Sequence, residues 1–186
     1  MKEQIVEYAI SLYRDIPMAV YEGLLSVLCL GTVAIIVCYG LKRRLKWIVG
    51  LLLVEYIFLI FCSTVIFRKG YEGAGYELSP FWSYKAIQEG RVELLVENIM
   101  NFIVFIPIGM ILGSLLRVKG SWFVTLMTGM IISITIETLQ FYFMRGFSEV
   151  DDVMHNTLGC ILGYSLWLMV HGAWLRVKGE RFMVQD

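Results

Sequence analysis

The stretch Ile99–Leu116, IMNFIVFIPIGMILGSLL, contains no charged side chain. A helix of about 20 apolar residues crosses the hydrocarbon core of a bilayer. Inside lipid no water is present to satisfy backbone N–H and C=O groups, so a spanning segment is either a helix or part of a closed barrel. The run shows no two-residue alternation of apolar and polar positions, which excludes a barrel strand. It is therefore read as a transmembrane helix. Four further runs have the same character: Met18–Leu41 with Glu22 near its start, Trp47–Phe67 with Glu55, Trp122–Tyr142 with Glu137, and Val153–Leu175 with His155 and His171. The whole chain agrees with this reading. Of 186 residues, 58% are hydrophobic and 17% charged, and the mean hydropathy is +0.70. Soluble domains are nearer about 45–50% apolar and about 25% charged. Five spans take up roughly 100 residues, which leaves short loops and no separate soluble domain. A disordered chain, a basic nucleic-acid-binding module and an ordinary soluble enzyme are excluded. The expected architecture is all-α: a polytopic integral membrane helical bundle with about five spans, forming a single membrane domain over residues 1–186.

Orientation follows from the charges. The first run is longer than the apolar region of a signal peptide and lacks a small-x-small cleavage site, so it is read as a retained span. Before it, Ile5, Ala9, Leu12 and Ile16 fall at helical spacing beside charged residues, a pattern that suits either an interfacial helix or a solvated tail. The net charge is zero, but its parts are separated. Lys42, Arg43, Arg44 and Lys46 follow the first span, Arg117 and Lys119 follow the third, and Arg176, Lys178 and Arg181 follow the fifth. The only acids in these alternate segments are Glu180 and Asp186. Lysine and arginine mark cytoplasmic loops, so the C-terminus is expected in the cytoplasm and the N-terminus outside. Trp47, Trp122, Trp167 and Trp174 gather at the same cytoplasmic ends, as interfacial aromatics do. Cys29, Cys38, Cys62 and Cys160 all fall within spans without C-x-x-C spacing and read as small apolar fillers.

Within spans the polar residues are the informative ones. The third span opens with Asn98 and Asn101 and continues on one stripe through Phe105, Gly109 and Gly113. The fourth ends with Glu137 and Gln140 on one face. The fifth begins with Asp151 and Asp152, and Asn156, Gly159 and Gly163 follow Asp152 on one stripe. In the expected topology all three clusters lie in the outer leaflet. Arg145, in the short connection between the last two spans, and Arg68, at the outer end of the second, are the cationic partners within reach. Pro107 removes a backbone bond from the third span and is expected to kink it. The segments Gly109-Met-Ile-Leu-Gly113 and Gly159-Cys-Ile-Leu-Gly163 read as small-residue packing faces. Each feature also has a plainer reading. Asn98 can cap its helix or sit among headgroups, Glu55 has no partner that sequence can name, and one histidine beside Asp151 and Asp152 does not make a metal site. No metal, other cofactor or nucleic-acid partner is implied, and the oligomeric state is left open.

These segments resemble the VanZ-like family. Asn101-Phe-Ile-Val-Phe105-Ile-Pro107-Ile-Gly109 is similar to its N-x-x-x-F-x-P-x-G segment, and Glu137-Thr-Leu-Gln140 to its E-x-x-Q. Arg145 and then Asp151-Asp152-Val-Met-His-Asn156-Thr-Leu-Gly159-Cys-Ile-Leu-Gly163 are similar to its R…D-D-x-x-x-N-T-x-G-x-x-x-G. In the outer loop Leu78-Ser-Pro80-Phe81 resembles N-L-x-P-F, with Glu77 where asparagine is usual. The resemblance covers a core of residues 68–163. It implies a multi-pass protein of the bacterial plasma membrane that acts at the cell envelope and is associated with resistance to teicoplanin and related lipoglycopeptide antibiotics.

The coincident depth of the clusters points to an outer-leaflet polar pocket formed by Arg68, Asn98, Asn101, Glu137, Gln140, Arg145, Asp151, Asp152 and Asn156. Its expected partners are membrane lipids through their headgroups, a peptidoglycan precursor, or the polar part of a lipoglycopeptide. A second reading is an intramembrane enzyme that modifies an envelope lipid, with Glu137 and Asp152 as a general acid/base pair. A transporter is disfavoured because the cytoplasmic halves of the last three spans are apolar. The topology has a direct test. A membrane-impermeant maleimide applied to intact cells should label a Ser79→Cys variant and leave a Lys178→Cys variant unlabelled until the cells are opened; the reverse pattern inverts the assignment.

Overall fold

The computed structural model describes residues 6, 7, 10, 14–38, 41–70, 75–116 and 121–178. Ile5, Ala9 and Leu12 of the N-terminal segment, Arg117 and Lys119, and the tail residues Glu180, Arg181 and Asp186 lie outside the described residues. The described helices are α1 (Met18–Cys38), α2 (Leu41–Phe61), α3 (Trp82–Gln88), α4 (Glu93–Leu115), α5 (Ser121–Tyr142) and α6 (Val150–Val177). Five segments are long and apolar enough to cross a membrane: Met18–Val37, Arg44–Ile66, Glu93–Leu115, Ser121–Tyr142 and Val150–Val177. The chain is thus an all-α, multi-pass membrane protein, as its composition and apolar runs require.

One detail differs from the sequence reading. The α4 helix begins at Glu93, so Asn98 lies inside it rather than at its mouth. The same helix runs through Pro107 as one continuous element. On the turn that the proline interrupts, the Tyr56 hydroxyl of α2 donates to the Val104 carbonyl at 2.8 Å. The loop between α2 and α4 carries regular structure. It contains a short strand β1 (Gly75–Glu77) and α3, and β1 pairs in parallel with β2 (Phe147–Glu149). Gly75 lies opposite Phe147, where a Cβ would run into the ring.

The core lies where α2, α4, α5 and α6 meet, with Ile60, Phe105, Ile108, Leu112, Ile136 and Cys160 buried together. The α1 helix packs chiefly on α2 and leaves Leu25, Leu30, Val33 and Val37 exposed, a surface suited to lipid. Apolar contact alone is a weak reason for helices to associate in lipid, because acyl chains are equally apolar. Close van der Waals packing and hydrogen bonds drive association there. The α4 and α6 helices meet both needs. They run side by side in the same direction, with Phe102 against Gly159, Ile106 against Gly163 and Gly113 against Trp167. A Cβ on Gly109 would strike the Cys160 carbonyl, one on Gly159 the Phe102 carbonyl, and one on Gly163 the Ile106 carbonyl. The obstacles are backbone atoms, which cannot rotate away. On the other side of α6, Gly129 of α5 seats against the Cys160 side chain. The two glycine pairs seen in the sequence are therefore the matched faces of one helix–helix contact.

Gly163→Ala should force α4 and α6 apart at a loss of about 1–3 kcal/mol, the usual range for overpacking a filled core. Gly50→Ala, where a Cβ meets nothing within 4 Å, is the control. Thermal unfolding of the purified protein should separate the two, with only the first lowering Tm.

Candidate functional site

At one end of the bundle α2 and α5 finish while α4 and α6 begin. A cavity of about 300 Å³ opens between these termini. The α2 helix ends in a turn of π-helix, Cys62–Ile66, and contributes Ser63 and Thr64, with Arg68 and Lys69 just beyond. From α4 come Glu97, Asn101 and Phe105, and from α5 come Glu137 and Gln140. The connection contributes Arg145, Gly146, Phe147 and Glu149, and α6 contributes Asp152 and Asn156. Four carboxyl groups and three cationic groups thus line one cavity.

Several of these side chains are held by identifiable contacts. Gln140 donates from Nε2 to the Thr64 carbonyl at 3.1 Å. A π-turn displaces carbonyls from the regular helical ladder, which is one reason such turns occur at functional sites. The Glu137 carboxylate accepts the backbone N–H of Glu149 at 2.9 Å, at the mouth of α6. A helix N-terminus favours negative charge at that place. Asn101 lies beside the Asp152 carboxyl in the cavity wall. Asn156 donates from Nδ2 to Ser133 Oγ at 2.8 Å, while its buried Oδ1 has no partner. Arg145 donates from Nη1 to the Arg68 carbonyl at 2.6 Å. A Cβ at Gly146 would lie 3.0 Å from Arg68 Nη1, so the glycine leaves room for that guanidinium.

A second polar network lies behind the cavity. Asp151, 1% exposed, accepts the Phe81 N–H at 2.6 Å through Oδ1, and the Ser83 N–H and hydroxyl at 3.0 and 2.6 Å through Oδ2. It caps α3 from a different helix. Phe81 adopts a left-handed backbone with φ of 64°, a conformation that L residues rarely take and that this tether supports. Asn98 donates to Ser83 Oγ at 3.1 Å, Trp82 Nε1 donates to Glu149 at 3.1 Å, and the Tyr84 hydroxyl lies 2.8 Å from His155 Nε2. Arg91 covers the Trp82 ring at 5.3 Å. The loop between α2 and α4 is thus fixed to α4 and α6 by hydrogen bonds. Glu77 accepts the Ser79 N–H at 2.9 Å, which closes the turn leading into α3, and the Ser79 side chain first and its N–H second lower the Glu77 pKa from the usual carboxyl range.

The order of these residues along the chain can be compared with known proteins. The VanZ/LLP1 profile matches residues 47–171. The chain belongs to the VanZ/LLP1 family. It is also similar to Protein VanZ of Enterococcus faecium, with 35% identity over 71 residues. That alignment covers 38% of this chain and 44% of the relative, so it spans less than half of each. No solved structure matches.

The predicted pocket residues divide between the two networks. Arg68, Asn101, Glu137, Gln140, Arg145, Asp152 and Asn156 line the cavity, whereas Asn98 and Asp151 are absent from its lining and hold α3. Among the described residues Arg145 has no carboxylate partner, the kind its sequence position suggested. Just beyond α5, Met144 takes a φ of 51° and the Arg145 N–H bonds the Gln140 carbonyl, and this turn directs Arg145 to the Arg68 carbonyl. The sequence reading missed Lys69, Glu97 and Glu149. Glu97 precedes Asn101 by one helical turn, so helical spacing would have found it. Lys69 adjoins Arg68, but Glu149 enters only through the pairing of β2 with β1. Among the described residues no group of His, Cys, Asp or Glu side chains is arranged to hold a metal ion.

Glu149 lies just before α6, and its pKa is pushed up to about 8, first by burial and then by the charge of Asp152. A carboxyl raised in this way keeps its proton in the folded protein after the unfolded chain has released it. Its contribution to stability is full below the unfolded value and is lost as pH rises through the folded one. In detergent, Tm should therefore fall between pH 4.5 and about 8. Glu149→Gln should flatten that part of the profile, and an unchanged slope would exclude Glu149 as its source.

Proposed function

We propose that this VanZ-family protein resides in the bacterial plasma membrane, opens its polar cavity at the outer leaflet, and protects the cell against teicoplanin and related lipoglycopeptides. The bound partner is an envelope molecule: a lipid headgroup, a peptidoglycan precursor or the antibiotic's own polar portion. The observation that carries the proposal is the convergence of Arg68, Arg145, Glu137, Gln140, Asp152 and Asn156 on a single cavity at one end of a membrane-spanning bundle. Ionisable groups within spans are expensive to maintain and mark binding or transfer pathways. The charge bias of the alternate loops supports placing that end outside. Arginine at the cavity suits a phosphate or carboxylate, which its planar fork can engage through two hydrogen bonds.

A second reading is an intramembrane enzyme acting on an envelope lipid. It is supported by the two carboxyl groups, Glu137 and Asp152, that share the cavity. Among the described residues no Ser–His or Cys–His pair lines it, so this reading uses acid/base chemistry without a covalent nucleophile.

Expression in a teicoplanin-sensitive host should raise the inhibitory concentration above that of the empty vector. Glu137→Ala and Asp152→Ala should return it to the vector value at equal membrane abundance. Unchanged susceptibility with the intact protein removes the resistance claim. A new lipid species, present with the intact protein and absent with both variants, would favour the enzymatic reading.

A further inference from the structure

The groups lining the cavity are sorted by charge. Arg68 and Lys69 are exposed at its mouth, and Arg145 is bonded to the Arg68 backbone beside them. The more buried ionisable groups are carboxyls. Glu137 is 6% exposed, and Glu97, Glu149 and Asp152 are partly buried around it. Asn156, 5% exposed, uses its amide N–H on Ser133 and leaves a carbonyl oxygen without a donor. A buried acceptor without a partner forfeits the hydrogen bond it would make in water. An ammonium group has three donors and no acceptor, and so matches an acceptor-rich interior.

We infer that the cavity takes an amphoteric ligand, with a primary ammonium among Glu137, Asp152 and Asn156 and a phosphate against Arg68 and Arg145. This inference rests on the reading of the cavity as a ligand site and adds the chemical class. A simple anion would meet the carboxyl groups of the interior, and a simple cation would first meet the cations of the mouth. A ligand carrying both charges a few bonds apart meets the complementary group at each level. A divalent metal is a poorer occupant, because the described carboxyl groups are not arranged as a coordination set. The phosphoethanolamine unit has this chemistry, whether as the headgroup of a bilayer lipid or as a water-soluble phosphodiester.

The test is native mass spectrometry of the full chain released from detergent. The probes are phosphatidylethanolamine, its N-acetylated form, phosphatidylglycerol, and glycerophosphoethanolamine as a soluble competitor. N-acetylation removes the ammonium and keeps the phosphate. The unmodified lipid should be retained roughly tenfold better than the acetylated one, the scale of one charge-assisted hydrogen bond. Glu137→Gln and Asp152→Asn should each erase that preference, whereas Arg145→Gln should weaken both lipids alike. If a variant fails to fold, the wild-type comparison of the two lipids still decides. Equal retention of the two lipids, or stronger retention of phosphatidylglycerol, overturns the assignment. Competition by glycerophosphoethanolamine supports the headgroup as the recognised unit, and retention of the lipid without such competition supports a bilayer source. Teicoplanin susceptibility is measured in parallel. Lipid discrimination without protection overturns only the resistance reading, and protection without discrimination overturns only the amphoteric ligand.

Discussion

The α4 and α6 helices touch backbone to backbone, because Gly109, Gly159 and Gly163 present no Cβ at the contact. This approach positions the rest of the bundle. Asn101 lies beside Phe102, whose carbonyl faces Gly159, and Asn156 lies one turn before that glycine. The same closeness that packs the helices sets Asn101 against Asp152 and forms the inner wall of the cavity. In lipid the alternative to helix–helix contact is contact with acyl chains, so complementarity of shape carries the association. Even a methyl group added at these positions has nowhere to go, since the facing atoms are carbonyl oxygens.

The second constraint is the need to satisfy polar groups drawn away from water. Asp151 and Asp152 are neighbours in sequence but differ in direction by about 100° on the helix. Asp151 turns toward α3 and accepts from Phe81 and Ser83, while Asp152 turns into the cavity. One aspartate fixes the loop and the other lines the site. This division couples the segment Gly75–Gln88 to the cavity wall, because the Trp82 indole holds Glu149 and the Glu149 N–H in turn holds Glu137. The left-handed backbone at Phe81 persists within that web of bonds. The loop is thus part of the site's framework.

Glu97, Glu137, Glu149 and Asp152 line one small volume, and the cations Arg68, Lys69 and Arg145 share it. The two arginines are held to each other through backbone contact, and Lys69 reaches away to Asp15 at 3.6 Å. Their guanidinium groups are therefore placed at the mouth without direct ion pairs to the carboxyl groups among the described residues. Arg68 and Lys69 are exposed whereas Glu137 and the unpartnered Asn156 carbonyl are buried, which is the basis for assigning a ligand of mixed charge.

By itself the sequence determined the class of the protein. Apolar runs of spanning length leave no alternative to membrane helices, because a backbone in lipid must bond within its own segment. The spacing of Glu137 and Gln140, and of Asp152, Asn156, Gly159 and Gly163, placed most cavity residues on the correct faces, because helical periodicity is a local property. The tertiary structure decided which polar residues are structural and which face open space. Asn98 and Asp151 carry the same side chains as Asn101 and Asp152, and only the position of α3 shows that the first pair is consumed in hydrogen bonds. Glu149 joined the site through a strand pairing between segments about seventy residues apart, Gly75–Glu77 and Phe147–Glu149. Arg145 found a carbonyl where charge alone suggested a carboxylate, because the end of α5 turns it toward Arg68. Such outcomes depend on contacts between distant segments, and helical spacing within one segment carries no information about them.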